Sequence, residues 1–175
     1  MLSIYSHTAL NTFRTCPRKF KFQYVEKVEV PKKLTADTYM GNAVHRVLAI
    51  LYKLGEDGIV YPINDMIASY EQQWEKVDRE YITLTDEYHT VDDYIRLGRE
   101  MLVRHYEHYH PFNQGILLGT ELNVMFTLPH TGFKIRAIID RLWKRDDGAV
   151  EICDYKTGRT LARPQDESFF YQMGL

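Results

Sequence analysis

Apolar residues in the first 111 positions recur every three or four residues, which is the spacing of one face of an α-helix. This pattern predicts helices over residues 6–25, 36–54, 64–80 and 91–110. Pro17 breaks the first helix near Cys16, because proline lacks an amide hydrogen and clashes with the preceding turn. Ser6 or Thr8 is placed to cap its beginning, and Pro111 ends the last helix. The amino-terminal part of the chain is therefore predicted to be helical.

After residue 111 the apolar spacing shortens to every second position, which is typical of strands that bury one face. Strands are predicted over residues 116–128, 133–143 and 149–156. The residues predicted to face the core are Leu118, Leu122, Val124 and Phe126, then Ile135, Ala137 and Ile139. Turn signals at 130–132 (HTG) and 146–148 (DDG) separate the strands. Because such short turns reverse the chain, the three strands should form an antiparallel meander.

These elements predict an α/β class with an α+β-like arrangement. Helices in a helical part at 1–111 pack on the three-strand meander of a strand-rich part at 112–175, and a further helix at 165–175 follows. A chain of 175 residues that is 45% hydrophobic can bury a core of its own. Neither an internal repeat nor a Gly/Ser-rich linker divides it. We therefore expect residues 1–175 to form a single domain.

Composition and charge exclude several classes of protein. The net charge of −2 gives no overall basic character, so nucleic acid would have to bind a local patch. Two cysteines are too few for a disulfide framework, and a reducing, cytoplasmic setting fits them. No apolar run is long enough to cross a bilayer, and we find no secretory signal.

The segment 152–158 (ICDYKTG) ends the third predicted strand with chemically active groups. Side chains alternate along a strand, so Asp154 and Lys156 project from the same face. A carboxylate binds hard divalent cations, and a lysine positions the attacking water, acts as a base or neutralises charge that develops on a phosphate. The pair indicates metal-dependent phosphodiester hydrolysis. An exposed ion pair at a strand end is the other interpretation of so short a motif.

Three further polar residues are placed to complete a metal site. Asp140 lies near the end of the adjacent strand, about 5 Å away across the meander. Glu121 in the first strand is either a third acidic group or a solvent-facing residue. His45 follows Gly41 by one helical turn, and glycine there lets another element approach closely. His45 is then a metal ligand, or else a half-buried packing residue. Carboxylate-rich sites of this kind favour Mg²⁺ or Mn²⁺.

Basic residues cluster near the amino terminus and offer a local surface for DNA. They are Arg14, Arg18, Lys19, Lys21, Lys27, Lys32 and Lys33. Such side chains neutralise phosphates, although a solvated helix face has the same composition. We predict DNA contacts for the first four of them.

Short motifs are spaced along nearly the whole chain. They comprise residues 6–10 (SHTAL), Phe13, residues 16–20 (CPRKF), residues 41–45 (GNAVH), Glu121, residues 139–142 (IDRL) and residues 154–158 (DYKTG). In this order and spacing they resemble the RecB-like branch of the PD-(D/E)xK nuclease superfamily, including its CRISPR-associated nucleases. The last two motifs are the most specific. The resemblance implies a restriction-endonuclease-like core.

The resemblance also implies a role for each matched residue. Metal binding is implied for His45, Asp140, Asp154 and the backbone carbonyl of Cys153 or its neighbour Ile152. Lys156 resembles the catalytic lysine, and Glu121 resembles an acidic residue that some members place near the site. Gln172 resembles the glutamine of a Q-x-x-x-Y motif on the helix that follows.

The chain departs from the family pattern in two places. The tyrosine of the Q-x-x-x-Y motif would fall at position 176, so we expect a core truncated at its carboxyl end. A partner subunit or a second copy would then cover the open sheet edge. Some relatives hold an iron–sulfur cluster through a cysteine at the position of Cys16 and three others. This chain alone lacks the four thiolates required, so a packing role is expected for Cys16 unless a longer chain supplies three more.

These observations predict a Mg²⁺- or Mn²⁺-dependent deoxyribonuclease. It is expected to be an exonuclease on linear or single-stranded DNA, in repair, recombination or CRISPR adaptation. One alternative is a DNA-binding or assembly module that keeps the fold with impaired catalysis, and another is an interaction domain with a coincidental motif. The complete set of His45, Asp140, Asp154 and Lys156 favours the enzyme, since a decayed site usually loses one such residue.

Overall fold

A computed structural model describes residues 4–31, 33–113 and 115–158. The helices within these residues are α1 (His7–Thr15), α2 (Pro17–Phe20), α3 (Ala36–Glu56), α4 (Ile63–Glu75) and α5 (Val91–Tyr109). The strands are β1 (Ile4–Ser6), β2 (Leu34–Thr35), β3 (Ile82–Thr83), β4 (Gly115–Thr127), β5 (Lys134–Arg145) and β6 (Val150–Cys153). A π-helix (Lys21–Val25) and a 3₁₀-helix (Arg79–Tyr81) complete them. The predicted mixed α/β class is confirmed. No helix in these ranges is long and apolar enough to cross a membrane.

The described chain forms two compact units. The first comprises residues 4–31 and 123–139, and the second comprises residues 33–113, 115–122 and 140–158. The strands β4 and β5 contribute residues to both. The expectation of a single domain concerns how the chain folds, and it stays a prediction.

The first unit shows why the amino-terminal helix breaks where it does. The Ser6 hydroxyl accepts a hydrogen bond from the Ala9 amide at 3.2 Å and caps α1. Cys16 is extended, with φ −153° and ψ 94°, and Pro17 begins α2. Both the cap and the break are as predicted. The strand β1 was not predicted, because three residues are too few to display an alternating pattern; it pairs with β5 in parallel, Tyr5 opposite Ile135.

The second unit holds the helical core. Side chains that are almost fully buried come from α3, α4 and α5: Met40, Val47, Leu51, Met66, Tyr70, Trp74 and Leu102. The apolar face predicted for each of these helices is therefore confirmed as its buried face. The third predicted helix is too long, because α4 ends at Glu75 rather than at residue 80. The Asp78 carboxylate accepts a hydrogen bond from the Glu80 amide at 3.0 Å, which favours the separate 3₁₀-helix over a continued α-helix.

The strands of the second unit differ from the prediction in two details. Leu118 is 45% exposed, and Leu117 is buried in its place at 7%. The buried residues Leu117 and Thr120 are three apart, so the alternation slips by one position, as it does at a β-bulge. The third strand is also shorter than predicted, because its antiparallel pairing with β5 ends at Cys153 opposite Arg141.

Gly98 marks a close contact in the helical core. A Cβ atom there would lie 2.7 Å from Cζ of Tyr70 and 3.0 Å from Cγ of Met40, both of which are buried. We expect Gly98→Ala to lower the free energy of unfolding by about 1–3 kcal/mol, because overpacking outweighs the higher helix propensity of alanine. Urea denaturation measures this change. Gly55→Ala on α3 is the matched control, since nothing lies within 4 Å of its added Cβ. Equal stability of the two variants would contradict the prediction.

Candidate metal centre

Three side chains of the second unit bring potential metal ligands together. They are His45 on α3, Glu121 on β4 and Asp140 on β5, whose ligand atoms lie within 4.8 Å of one another. His45 Nδ1 is 3.3 Å from Asp140 Oδ1 and 3.9 Å from Glu121 Oε1. Two carboxylates and one imidazole form a donor set that suits a hard divalent cation such as Mg²⁺ or Mn²⁺.

The helix α3 directs His45 toward this cluster. The flanking residues Val44 and Val47 are buried in the core and hold the helix in place. One turn earlier, a Cβ atom on Gly41 would lie 2.8 Å from the Thr157 hydroxyl oxygen. The absence of a side chain at Gly41 thus permits the segment after β6 to approach α3, as predicted.

The backbone of Tyr155 orients two of the three ligands. Its amide donates a hydrogen bond to Asp140 Oδ2 at 2.7 Å. Its carbonyl oxygen lies 3.0 Å from His45 Nε2. Because a carbonyl can only accept, Nε2 carries the hydrogen of this bond. The opposite atoms, His45 Nδ1 and Asp140 Oδ1, therefore face each other and Glu121.

Electrostatics favour the protonated form of His45 and the ionised form of Asp140. Burial acts to lower the pKa of His45, but its hydrogen bond to Asp140 and the charge of that carboxylate raise the pKa above its usual value. Burial acts to raise the pKa of Asp140, yet the hydrogen bonds from His45 and from the Tyr155 amide hold that pKa below its usual value. A divalent cation at this position would take the place of the His45 proton.

Glu121 occupies an unusual backbone position. Its φ of 50° lies in the left-handed region, which non-glycine residues in strands seldom adopt. This conformation falls at the point where the alternation of β4 slips. The irregular backbone carries the Glu121 carboxylate to the His45 imidazole while leaving the side chain partly exposed. Bulges and strained residues of this kind often re-aim side chains at functional sites.

Asp154 and Lys156 lie after the end of β6. Their side chains form an ion pair with each other, and they are 41% and 46% exposed. Among the described residues, the cluster of mutually close ligand atoms contains His45, Glu121 and Asp140 and does not contain Asp154. The structure therefore unites the helix histidine and two acidic groups, whereas Asp154 is bound to the lysine. The roles predicted for all five residues stay predictions.

The chain matches the family model of the PD-(D/E)XK nuclease superfamily over residues 4–175. It belongs to that superfamily. None of the curated proteins compared with it gives a match. Its mixed α/β architecture is consistent with the restriction-endonuclease-like fold of the superfamily, and superfamily membership together with the acidic cluster makes divalent-metal chemistry the expected activity.

In this PD-(D/E)XK chain, the Cys153 thiol is hydrogen-bonded to other side chains and is not a favourable metal ligand. The thiol donates to Glu151 Oε1 at 3.0 Å and accepts from Arg141 Nη2 at 2.9 Å. Burial and the bond to Glu151 raise the thiol pKa, which disfavours the thiolate that a metal would need. Only its backbone carbonyl remains a predicted ligand. Gln172, also predicted to act in the site, lies outside the described residues.

The residues predicted to contact DNA belong to the first unit. Arg14, Arg18, Lys19 and Lys21 are exposed on α1, α2 and the π-helix. Arg18 and Lys19 line a cleft of about 1240 Å³, and Lys21 pairs with Glu26 at 3.2 Å. The Cys16 thiol accepts a hydrogen bond from the Lys19 amide at 3.4 Å, and both cysteines are free thiols. In the described chain, Cys16 caps a helix.

Sequence reasoning missed the contributions of Tyr155 and Arg141. Tyr155 lies between the two charged residues of the motif and carries no charge of its own, so spacing arguments passed over it. Arg141 follows Asp140 and is only 4% exposed, although arginine is seldom buried. The one available signal was the alternation of strand residues, which sends both side chains to the face opposite the acidic groups.

Proposed function

We propose that this chain is a Mg²⁺- or Mn²⁺-dependent deoxyribonuclease that hydrolyses phosphodiester bonds. The observation that carries the proposal is the convergence of His45, Glu121 and Asp140 within 4.8 Å in a member of a nuclease superfamily. Hydrolysis forms a bond from a water oxygen to phosphorus and breaks the ester P–O bond. A bound divalent cation supplies positive charge to the phosphate and to the attacking water.

His45, Asp140 and Glu121 would hold the cation through Nδ1 and carboxylate oxygens. Asp154 and the backbone carbonyl of Cys153 complete the proposed ligand set, as the motif resemblance implies. Asp154 is exposed and immediately precedes Tyr155, whose backbone bonds His45 and Asp140. Its carboxylate would exchange Lys156 for the cation.

Lys156 acts as a donor in this proposal. Its side chain pairs with the Asp154 carboxylate, and an ammonium group there donates hydrogen bonds. In that form it orients the attacking water or neutralises charge that grows on the phosphate. The exposed fraction of its side chain leaves it able to reach a bound substrate.

The basic residues Arg14, Arg18, Lys19 and Lys21 are proposed to contact DNA phosphates. They are exposed, and their local positive charge contrasts with the net charge of −2 of the chain. Arg18 also stacks over Phe22, with Cζ 5.7 Å from the ring centroid, which shows that this surface combines charge with aromatic faces. Binding through such residues would weaken as salt rises.

The motif resemblance supports a finer assignment. It favours the RecB-like branch, an exonuclease acting on linear or single-stranded DNA, and a role in repair, recombination or CRISPR adaptation. A cytoplasmic setting fits the two free thiols, which are held in no disulfide.

Degradation of end-labelled DNA tests the proposal. We expect loss of linear duplex or single-stranded DNA with Mn²⁺ or Mg²⁺, no loss with EDTA, and binding without cleavage in Ca²⁺. Closed circular DNA of the same sequence should resist an exonuclease and be cut by an endonuclease. Cleavage that continues in EDTA would exclude the metal centre. DNA binding without cleavage under every metal condition would favour the catalytically impaired DNA-binding module instead.

A further inference from the structure

We propose that Tyr155 is a positioning residue, whose half-buried ring holds the backbone segment that orients two ligands of the metal centre. The proposal rests on the proposed metal-dependent activity, and it concerns a residue between Asp154 and Lys156 that itself carries neither a ligand nor a reacting group. Its backbone bonds two ligands, and its ring contacts His45, His105 and Arg141.

One peptide segment controls the orientation of two ligands. The Tyr155 amide occupies Asp140 Oδ2, and the Tyr155 carbonyl occupies His45 Nε2. Each bond removes one of the two ligand atoms that the side chain offers and leaves the other facing the cluster. Outer bonds of this kind fix the tautomer of a ligating histidine and the rotation of a carboxylate. A shift of the Tyr155 backbone would therefore misorient both groups together.

Strand pairing does not hold this backbone. The pairing of β6 with β5 ends at Cys153, and residues 154–157 continue without a described strand partner. The side chains of Asp154 and Lys156 are partly exposed and bound to each other. Within the described residues, the contacts that fix the segment are those of Tyr155 and the close approach of Thr157 to Gly41.

The ring of Tyr155 is held on several sides. It meets the His45 ring edge to face at 5.6 Å between centroids, and the His105 ring at 5.5 Å. The Arg141 guanidinium carbon lies 5.9 Å from its centroid. The hydroxyl is buried and has no hydrogen-bond partner in the described part of the chain. The contacts that hold Tyr155 are therefore made by its ring and not by its hydroxyl.

The Arg141 guanidinium, which packs against the Tyr155 ring, is itself held by several contacts. Its guanidinium carbon lies 4.3 Å from the centroid of Tyr52 on α3 and 5.2 Å from that of Tyr109 on α5. Its Nη2 donates to Cys153 Sγ at 2.9 Å. Cation–π contacts of a desolvated guanidinium are among the stronger ones. Through Arg141 the Tyr155 ring is connected to two core helices and to β5, the strand that carries Asp140.

A comparison of Tyr155→Phe with Tyr155→Leu tests this role. Phenylalanine keeps the ring and loses only an unpartnered hydroxyl, so Mn²⁺ affinity and turnover should equal those of the native protein. Leucine loses the ring, and we expect about 10- to 100-fold weaker Mn²⁺ binding, the range found for outer contacts of metal ligands. Binding is measured by electron paramagnetic resonance of free Mn²⁺, and kcat and KM are measured on linear DNA. The loss should appear in metal affinity and kcat, with KM for DNA unchanged.

Tyr39→Leu is the matched control, since Tyr39 packs against Trp74 in the helical core of the same unit and is not a member of the cluster. Should Tyr155→Leu fail to fold, Tyr155→Met gives the same readout with a more adaptable side chain. Native-like Mn²⁺ affinity in a folded leucine or methionine variant overturns the positioning role, as does a tenfold loss in the phenylalanine variant. Failure of the native protein to bind Mn²⁺ overturns the metal centre itself, which distinguishes the two failures.

Discussion

Asp140→Asn is expected to reduce metal-dependent DNA cleavage by about a thousandfold or more. The substitution removes the negative charge of the carboxylate that faces His45 and is proposed to bind the cation. Asp140 is the most buried member of the cluster, and it accepts bonds from the Tyr155 amide at 2.7 Å and faces His45 Nδ1 at 3.3 Å. Asparagine keeps the size of the side chain and loses its charge. Mn²⁺ affinity should fall together with turnover, and titration calorimetry with a parallel cleavage assay measures both.

Asp146→Asn is the matched control for this variant. Asp146 lies in the turn that follows β5, is exposed, and is separate from the cluster. The same chemical change there should leave metal affinity and cleavage unchanged. Undiminished Mn²⁺ binding by a folded Asp140→Asn protein would show that the cation is held elsewhere, and the proposed centre would have to be abandoned.

Lys156→Met should produce the second large effect, a loss of about a hundredfold to a thousandfold in kcat with metal binding retained. Methionine preserves most of the length of the side chain and removes the ammonium group. Because Lys156 contributes no ligand atom to the proposed centre, the cation should still bind, and with no weaker affinity once a neighbouring positive charge is gone. Single-turnover cleavage at saturating Mn²⁺ isolates this defect from binding.

Lys144→Met supplies the comparison for the lysine variant. Lys144 is an exposed residue of β5, two positions after Leu142, and no part of the cluster. Its replacement should not alter the single-turnover rate. Full activity of Lys156→Met would assign the observed cleavage to another site or to a contaminating nuclease. Loss of Mn²⁺ binding in that variant would instead give Lys156 a structural role.

The two substitutions separate binding from chemistry. A proportional loss of affinity and rate in Asp140→Asn, beside a pure rate loss in Lys156→Met, is the pattern that a metal-dependent hydrolase predicts. The catalytically impaired module predicts a different result, in which the native protein and both variants bind DNA equally and none cleaves it.

The sequence by itself determined the elements on which the site is built. Helical periodicity located α3 and placed Gly41 and His45 one turn apart. Alternation located β5 and placed Asp140 on the other face of that strand from the apolar residues Ile135 and Ile139. These features are local, since each depends on the dihedral preferences and side-chain directions of a few consecutive residues. The motif 154–158 was recognisable for the same reason, because its charged residues are separated by a fixed spacing.

Only the tertiary structure decided which groups meet. The slip in β4 and the left-handed backbone of Glu121 bring that carboxylate to His45, although simple alternation left its role open. Asp154, expected among the ligands, is paired with Lys156. The positioning role proposed for Tyr155 depends on its hydrogen bonds to Asp140 and His45, which lie 15 and 110 residues away along the chain. Contacts at such separations are selected by the packing of the whole second unit, and no local pattern of residues encodes them.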